Sequence, residues 1–472
     1  MTGLPAAWIW SRPWAEPPRP GGRLVLSGDR VAEVAAAPPS GGLIWLPGLV
    51  NAHDHARGIG PLTYGAPDGP LEAWLWDLWR APRTDPYLTH LVAFGRMALS
   101  GVTTVVVNFL PQGSDVVAEA RAAAQAARDV GLRLSLVVPV IDGNLAGYDG
   151  GAAVRAAISE AEWAELRGAQ ELPPVAEQIA AVRAVADAVD DETTITQFGP
   201  PGPQWCAPTA LREVGAAAAA DGRRVHMHLL ETGAQRRWMD GRFPDGLPAL
   251  LESAGLLNAR LTVAHGVWLR EAEAMALAKA GAVLVLNTSS NLRLGSGQAD
   301  GALLARCGLA LGLGIDGLAL DDDDDMLREM RLATRILGPR GFSSDGLSGA
   351  AVLRAAFSSG RLAHDGQAAQ GIEAGAEADL VGLSVEAMAA DRVDDAPETL
   401  AALTHGRARR AAVREVIVAG RRIVSEGRLA GVDLPAAEAA LAAEARANRR
   451  AAPPPAWIAK ARAARVAAER GP

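Results

Sequence analysis

Leu46-Pro47-Gly48-Leu49-Val50-Asn51-Ala52-His53-Asp54-His55 decides how the chain is read. An apolar run closes on two histidines. Side chains two apart on a strand share a face, so the two imidazoles converge at the strand's C-terminal end. In a (β/α)8 barrel that end carries the active site. A bare His-x-His also occurs in surface turns; the apolar lead-in, which makes the strand a buried one, sets this pair apart.

The pattern continues outward. From residue 49 to 364, short β-branched runs alternate with Ala-rich helical stretches, which implies βαβ units and a parallel sheet. The expected strands are Leu49–His55, Val102–Val107, Leu132–Val140, Thr194–Phe198, Arg224–Leu229, Leu261–His265, Val283–Leu286 and Leu311–Asp316. Eight β-then-α units point to a closed α/β barrel, the TIM-barrel class. The flanks differ. Arg23–Val34 and Val413–Val424 read as hairpins and Asp379–Val385 as another strand. Residues 1–48 and 365–433 are therefore expected to form one small β-sandwich from both chain ends. Residues 434–472 read as a helical tail with a break at Pro453-Pro454-Pro455.

Composition bounds the function. A chain of 472 residues with net charge −8 suits a large barrel plus a smaller unit and needs no disulfides to build a core. Its two cysteines, Cys206 and Cys307, make no disulfide scaffold. The acidic balance without a basic stripe argues against nucleic acid as a partner. The start lacks a secretory pattern and no apolar stretch is long enough to span a bilayer, so no membrane partner and a cytoplasmic location are expected.

Further candidates lie at other strand ends. His226 and His228 share a face on the fifth strand; His228 is nearer its end and is the better ligand, whereas His226 sits one layer deeper and reads as a core histidine. Glu231, three beyond His228, is turned away by strict alternation and reaches the site only if the strand has ended. His265 ends the sixth strand. Asp316 ends the Gly-rich eighth, where a carboxylate is costly unless paired or metal-bound. Three imidazoles and a carboxylate suit Zn²⁺ or Fe²⁺. An open position on such a metal lowers the pKa of bound water to about 7. The run Asp321–Asp325 reads mainly as the start of the eighth helix, where acids suit the positive dipole end, with Asp321 or Asp322 as a possible contact for a cationic or N–H-rich substrate. His90 and His364 read as structural or exposed, and His405, outside the barrel, is assigned no role.

These motifs, in this order, resemble the amidohydrolase superfamily, in the branch of cytosine deaminase, S-adenosylhomocysteine deaminase and the triazine chlorohydrolases. Leu46–His55 is similar to the strand-one signature, Gly101-Val102-Thr103-Thr104-Val105 to strand two, and His228-Leu229-Leu230-Glu231-Thr232 to the His-x-x-Glu-Thr of this branch. Ala264-His265-Gly266, the loop Asn287–Gly297 and Leu311–Gly317 resemble strands six, seven and eight. The family's Asn-Pro is here Asn287-Thr288, and Gly199–Cys206 matches no substrate-defined member. The resemblance implies one metal on His53, His55, His228 and Asp316, with Zn²⁺ expected and Fe²⁺ as the alternative. It implies Glu231 as proton shuttle and His265 and Asp316 as catalytic. The implied reaction is deamination of a nitrogen heterocycle by metal-bound hydroxide. Hydrolysis of a cyclic amide or displacement of chloride is the alternative within enzymes, and a noncatalytic metal- or ligand-binding barrel the alternative outside them. Members with two metals bridge them by a carboxylated lysine on strand four; Thr193–Phe198 has no lysine or glutamate, so a mononuclear site is expected. Trp74, Trp76, Gln112, Trp205 and Asn291 are the candidate lining residues. The expected partners are a small heterocyclic substrate and further copies of the chain in a homo-oligomer.

Overall fold

The structure, a computed structural model, describes residues 2–113, 115–143, 147–148, 150–169, 171–452 and 454–470. Pro453 and residues 471–472 of the expected tail lie outside the described residues.

Eight strands run parallel in sequence order: Leu49–Asp54, Val102–Asn108, Arg133–Pro139, Thr194–Gly199, Val225–Leu229, Leu261–His265, Val283–Leu286 and Ala310–Leu313. Backbone ladders join each to the next. The last and first strands meet just beyond the ladder, where Asp316 N donates to His53 O at 3.0 Å and Ile315 N to Asn51 Oδ1 at 3.0 Å. Those two bonds nearly close the barrel at the strand ends that carry His53 and Asp316. The eighth strand stops at Leu313, three residues short of the expected end, because Asp316 adopts a left-handed backbone (φ 62°) that no strand accommodates.

Helices cover the outside. Val116–Val130 shows why they form: Ala at seven of its 15 positions, Asp115 capping Ala118 N, and Gly131 ending the helix at φ 97°. Inside, Val50, Ala52, Val106, Val137, Val283 and Val285 fill a layer over Ala363, which plugs the barrel floor. His364 belongs to that plug, its Nδ1 2.7 Å from Ser135 Oγ.

The two chain ends meet as two sheets. Leu43–Pro47 pairs antiparallel with Leu380–Ser384 at the centre of a seven-stranded sheet. Thr2–Pro5, Arg23–Ser27 and Arg30–Ala35 form a three-stranded one. Leu4, Leu24, Leu26, Trp45, Leu380 and Ile417 pack between them. Gly48 links this unit to the barrel; a Cβ there would lie 2.2 Å from Thr103 Oγ1, so only glycine allows the close passage. The tail forms two helices. Leu434–Ala451 lies on Pro86–Leu99, and Trp457–Arg470 on Leu71–Asp77 and Ala152–Ala157. Among the described residues no helix is long and apolar enough to cross a membrane.

Candidate metal centre and active site

The first strand could not aim its histidines by alternation alone. Val50 and Ala52 face the barrel interior, so a regular strand would turn residue 53 outward. The register shifts between Asn51 and Asp54, an irregularity that re-aims the following side chains. Asn51 stays outside, its amide donating to Asp54 Oδ2 at 2.7 Å, and His53 becomes fully buried inside.

Four donor atoms then converge. His53 Nε2 and His55 Nε2 each lie 3.1 Å from Asp316 Oδ1, and His55 Nε2 lies 3.3 Å from His228 Nε2. A tetrahedral ion with ligands at 2.0–2.1 Å has ligand–ligand edges of about 3.3–3.4 Å, so the spacing fits. The tautomers fit as well. His55 Nδ1–H donates to Asn108 O at 3.0 Å and His228 Nδ1–H to Pro201 O at 2.9 Å. Both Nε2 atoms therefore present lone pairs, towards each other and towards a carboxylate. Burial lowers the His53 pKa to about 4 and holds His228 well below its usual value, keeping both neutral. Burial alone would raise Asp316, but the hydrogen bond to His53 and the surrounding imidazoles hold it well below the carboxylate range. Ser290 Oγ donates to Asp316 Oδ2 at 2.6 Å and leaves Oδ1 for the cluster. Neutral imidazoles and one carboxylate, electron pairs inward, are what a divalent cation would join.

Supporting groups fix the rings. His53 Nδ1 lies 2.9 Å from His226 Nε2 and 2.8 Å from the Asn108 side-chain amide. His226 is thus in the layer below, fully buried, orienting His53 rather than facing the mouth. Neither this use of His226 nor the double role of Asn108 was readable from spacing.

Glu231 reaches the site by the route left open in the sequence, because the strand has already ended. The fifth strand ends at Leu229 and Leu230 takes a left-handed backbone (φ 48°), which turns Glu231 back over the barrel. Its carboxyl is buried, with Oε2 3.8 Å from His265 Nε2 and Oε1 3.4 Å from Ser296 Oγ. Burial raises its pKa to about 7. His265 (φ 73°) has Nδ1 2.9 Å from Asn291 Oδ1, and its Nε2, 4.0 Å from Asp316 Oδ2, is buried without a hydrogen-bond partner. His53, His228, His265 and Asp316 can each present a ligand atom within 4.8 Å of the others, so His265 closes the same cluster from its wider side.

The other expected lining residues separate. Asn291 is buried and orients His265. Trp74 packs on Leu71, Leu294 and Leu318, with the Arg57 guanidinium 5.4 Å over its ring. Trp76 is packed against Trp457 of the tail, ring centroids 6.2 Å apart. Trp205 is buried beside Tyr148. Gln112 is exposed, its Oε1 bonded to Thr84 N. Asp321 pairs with Arg328 at 2.8 Å and Asp322 with Arg293, while Asp325 caps the helix Met326–Leu337. The acidic run therefore does begin the eighth helix, and its two candidate substrate contacts are spent on arginines. Missed were Glu72, whose carboxylate accepts from Thr232 Oγ1 and, at 3.1 Å, from Tyr148 OH, and Trp268, which donates to Ser296 O at 2.9 Å. Only Glu72's burial, invisible in sequence, marks it; Trp268 follows the sixth-strand histidine closely enough to have been a candidate.

A barrel with imidazoles and carboxylates gathered at its C-terminal rim defines a metal-dependent hydrolase. The amidohydrolase family model matches residues 44–423, and the chain belongs to that family. It is 29% identical over 393 residues to a 5′-deoxyadenosine deaminase of Methanosarcina barkeri, covering 82% of each chain. It is 30% identical over 295 residues to a 5-methylthioadenosine/S-adenosylhomocysteine deaminase of Pyrococcus furiosus, covering 61% of this chain and 62% of that protein's length. The crystal structure of an adenosine deaminase from Xanthomonas campestris with bound zinc superposes with a TM-score of 0.76 at 25% identity, covering 95% of this chain and 97% of that one. An atrazine chlorohydrolase from Arthrobacter aurescens complexed with zinc shares the fold, with a TM-score of 0.78 at 20% identity over 94% of this chain and all of that one. The chain is accordingly a hydrolase of carbon–nitrogen bonds other than peptide bonds, in agreement with the expectation of a metal-dependent heterocycle deaminase.

Proposed function

We propose that the chain deaminates an adenine-type nucleoside, replacing the exocyclic amine by oxygen at the expense of one water and releasing ammonia. The observation that carries this reading is Glu231, a buried carboxyl raised to about 7 and set 3.8 Å from His265 beside the four converging donors. A proton carrier is most useful when its pKa lies near the working pH. His53, His55, His228 and Asp316 would hold one zinc ion, which when bound supplies Lewis-acid activation of a water. Glu231 would take one proton of the attacking water and deliver it to the ring nitrogen. Asp316, ionised, would accept the second proton from the added hydroxyl and return it to the exocyclic amine, which leaves as ammonia. His265, oriented by Asn291, presents Nε2 to the oxygen being added. The 5′-deoxyadenosine and 5-methylthioadenosine deaminases among its relatives support the substrate class.

A single ion is supported by the fourth strand. Gln197 there donates to Ala363 O and His364 O in the floor, and no acidic or lysine side chain stands on Thr194–Gly199 to bridge two ions. His226 spends its Nε2 on His53 in the layer below the mouth. A cytoplasmic homo-oligomer remains the expected setting. The test is ammonia release from purine nucleosides, pyrimidines, pterins and triazines by the zinc-loaded protein. Turnover of adenosine or its 5′-modified analogues is expected; turnover of a chlorotriazine or cyclic amide alone would replace this reading.

A further inference from the structure

The short helix Thr288–Arg293 carries two of the side chains that set the site. Ser290 Oγ holds Asp316 Oδ2 at 2.6 Å, and Asn291 Oδ1 lies 2.9 Å from His265 Nδ1. Six residues are too few for a helix to sustain itself, because nucleation costs more than so few bonds return. Its own N-cap does not help. Asn287 makes no side-chain capping bond, and both polar atoms of its amide are buried without a partner. The cap comes from elsewhere in the chain. Glu329, on the helix Met326–Leu337, accepts from Ser289 N at 3.1 Å through Oε1 and from Ser289 Oγ through Oε2. At the other end Arg293 engages Asp68, Asp322 and Ala319 O. Glu329 is 1% exposed, and the groups that most favour its charged form are Ser289 and Thr288 rather than a cation. Burying a carboxyl on hydroxyl and amide donors alone is costly, and packing by itself does not require it.

We propose that Glu329 is a positioning residue of the reaction: by capping the helix Thr288–Arg293 from outside, it fixes Ser290 on Asp316 and Asn291 on His265. The inference rests on the reading of Asp316 as a metal ligand and of His265 as the group facing the added oxygen. Glu329 acts through the helix, since its bonds go to Ser289. Without that cap the first-turn N–H groups have no acceptor and the turn frays. Ser290 and Asn291, the third and fourth residues of the helix, move with it. Asp316 then loses the donor that leaves Oδ1 for the cluster, and His265 loses the acceptor that aims its Nε2. Both losses act at the reacting atoms, so they fall on kcat and on metal affinity rather than on binding of the ring.

The test replaces Glu329 by leucine and by glutamine. Leucine removes both acceptors. Glutamine keeps both bonds, since its Oε1 can accept from Ser289 N while its Nε2 donates to Ser289 Oγ, a hydroxyl being donor and acceptor alike. In zinc-loaded Glu329→Leu, kcat for ammonia release is expected to fall about 10–100-fold with KM within about threefold of the parent. Zinc affinity in a chelator competition is expected to weaken about 10–100-fold, and the visible absorption of the Co²⁺-loaded protein to shift, as Asp316 loses its aim. Glu329→Gln is expected to restore all three. Val352→Ala, in the buried face of the neighbouring helix Gly349–Phe357, is the stability control and is expected to lower stability while leaving them unmoved. Should Glu329→Leu fail to fold, Ser289→Ala carries the test, with smaller changes in the same directions. Parent-like kcat, affinity and spectrum in Glu329→Leu, the same losses in Val352→Ala, or a glutamine variant as impaired as the leucine one overturns the inference. Weakened affinity and a shifted spectrum in a protein whose parent releases no ammonia from any nucleoside overturns the deaminase reading and leaves the inference standing.

Discussion

Replacing Glu231 by glutamine separates proton transfer from every other property of the site. The side chain keeps its shape and can still meet Ser296 Oγ, so ligand geometry and packing should persist. What disappears is a group whose pKa burial has moved from 4.5 to about 7. A shift of that size corresponds to about 3 kcal/mol of preference for the neutral form, which makes the ionised form a correspondingly stronger base. A positioned acid/base contributes about 10²–10⁴-fold, so kcat should fall by that factor, about 3–5 kcal/mol of barrier. The pH profile carries a second signature. The base must be ionised, so kcat/KM of the parent should fall as pH drops through about 7, with a bound cation drawing the midpoint lower. The variant should lose that limb. Steady-state ammonia release from pH 5 to 9, with elemental analysis of both proteins, measures everything needed. A variant within threefold of the parent removes Glu231 from proton transfer. A variant that loses its metal makes Glu231 a ligand instead.

Other perturbations probe the surroundings. Asn108→Ala removes the amide beside His53 Nδ1 while leaving the backbone carbonyl that accepts from His55, and should weaken metal binding about 10–100-fold in a chelator competition; unchanged affinity would show that Asn108 does not orient the ring. Glu329, buried and bonded to Ser289, has its pKa raised to about 7 by burial. Its folded-state value exceeds the unfolded one, so its contribution is full below pH 4.5 and is lost as pH rises to about 7, about 3 kcal/mol in all. Glu329→Gln should flatten the denaturant-measured stability across that window, and an unaltered slope would contradict the shift.

Sequence patterning revealed what depends on periodicity. The barrel strands follow from continuous apolar runs, because both of their faces are buried, and the terminal hairpins from shorter runs around turns. The site was legible where it coincided with strand ends: His53, His55, His228, His265 and Asp316 all lie there and do converge. It was illegible where the backbone leaves the regular pattern. The irregularity at Asn51–Asp54 and the left-handed Leu230 decide which way His53 and Glu231 point, and neither leaves a compositional trace. Contacts between distant segments were equally hidden. Trp76 was a plausible pocket wall until Trp457, far along the chain, was found packed against it.

The central claim is that one ion on His53, His55, His228 and Asp316 makes the chain active. Metal-free protein titrated with Zn²⁺, with ammonia release from an adenine nucleoside followed at each addition, tests it directly. Activity should rise linearly and break at one equivalent per chain. A break at two equivalents, or full activity in the presence of a strong chelator before any zinc is added, would contradict the account.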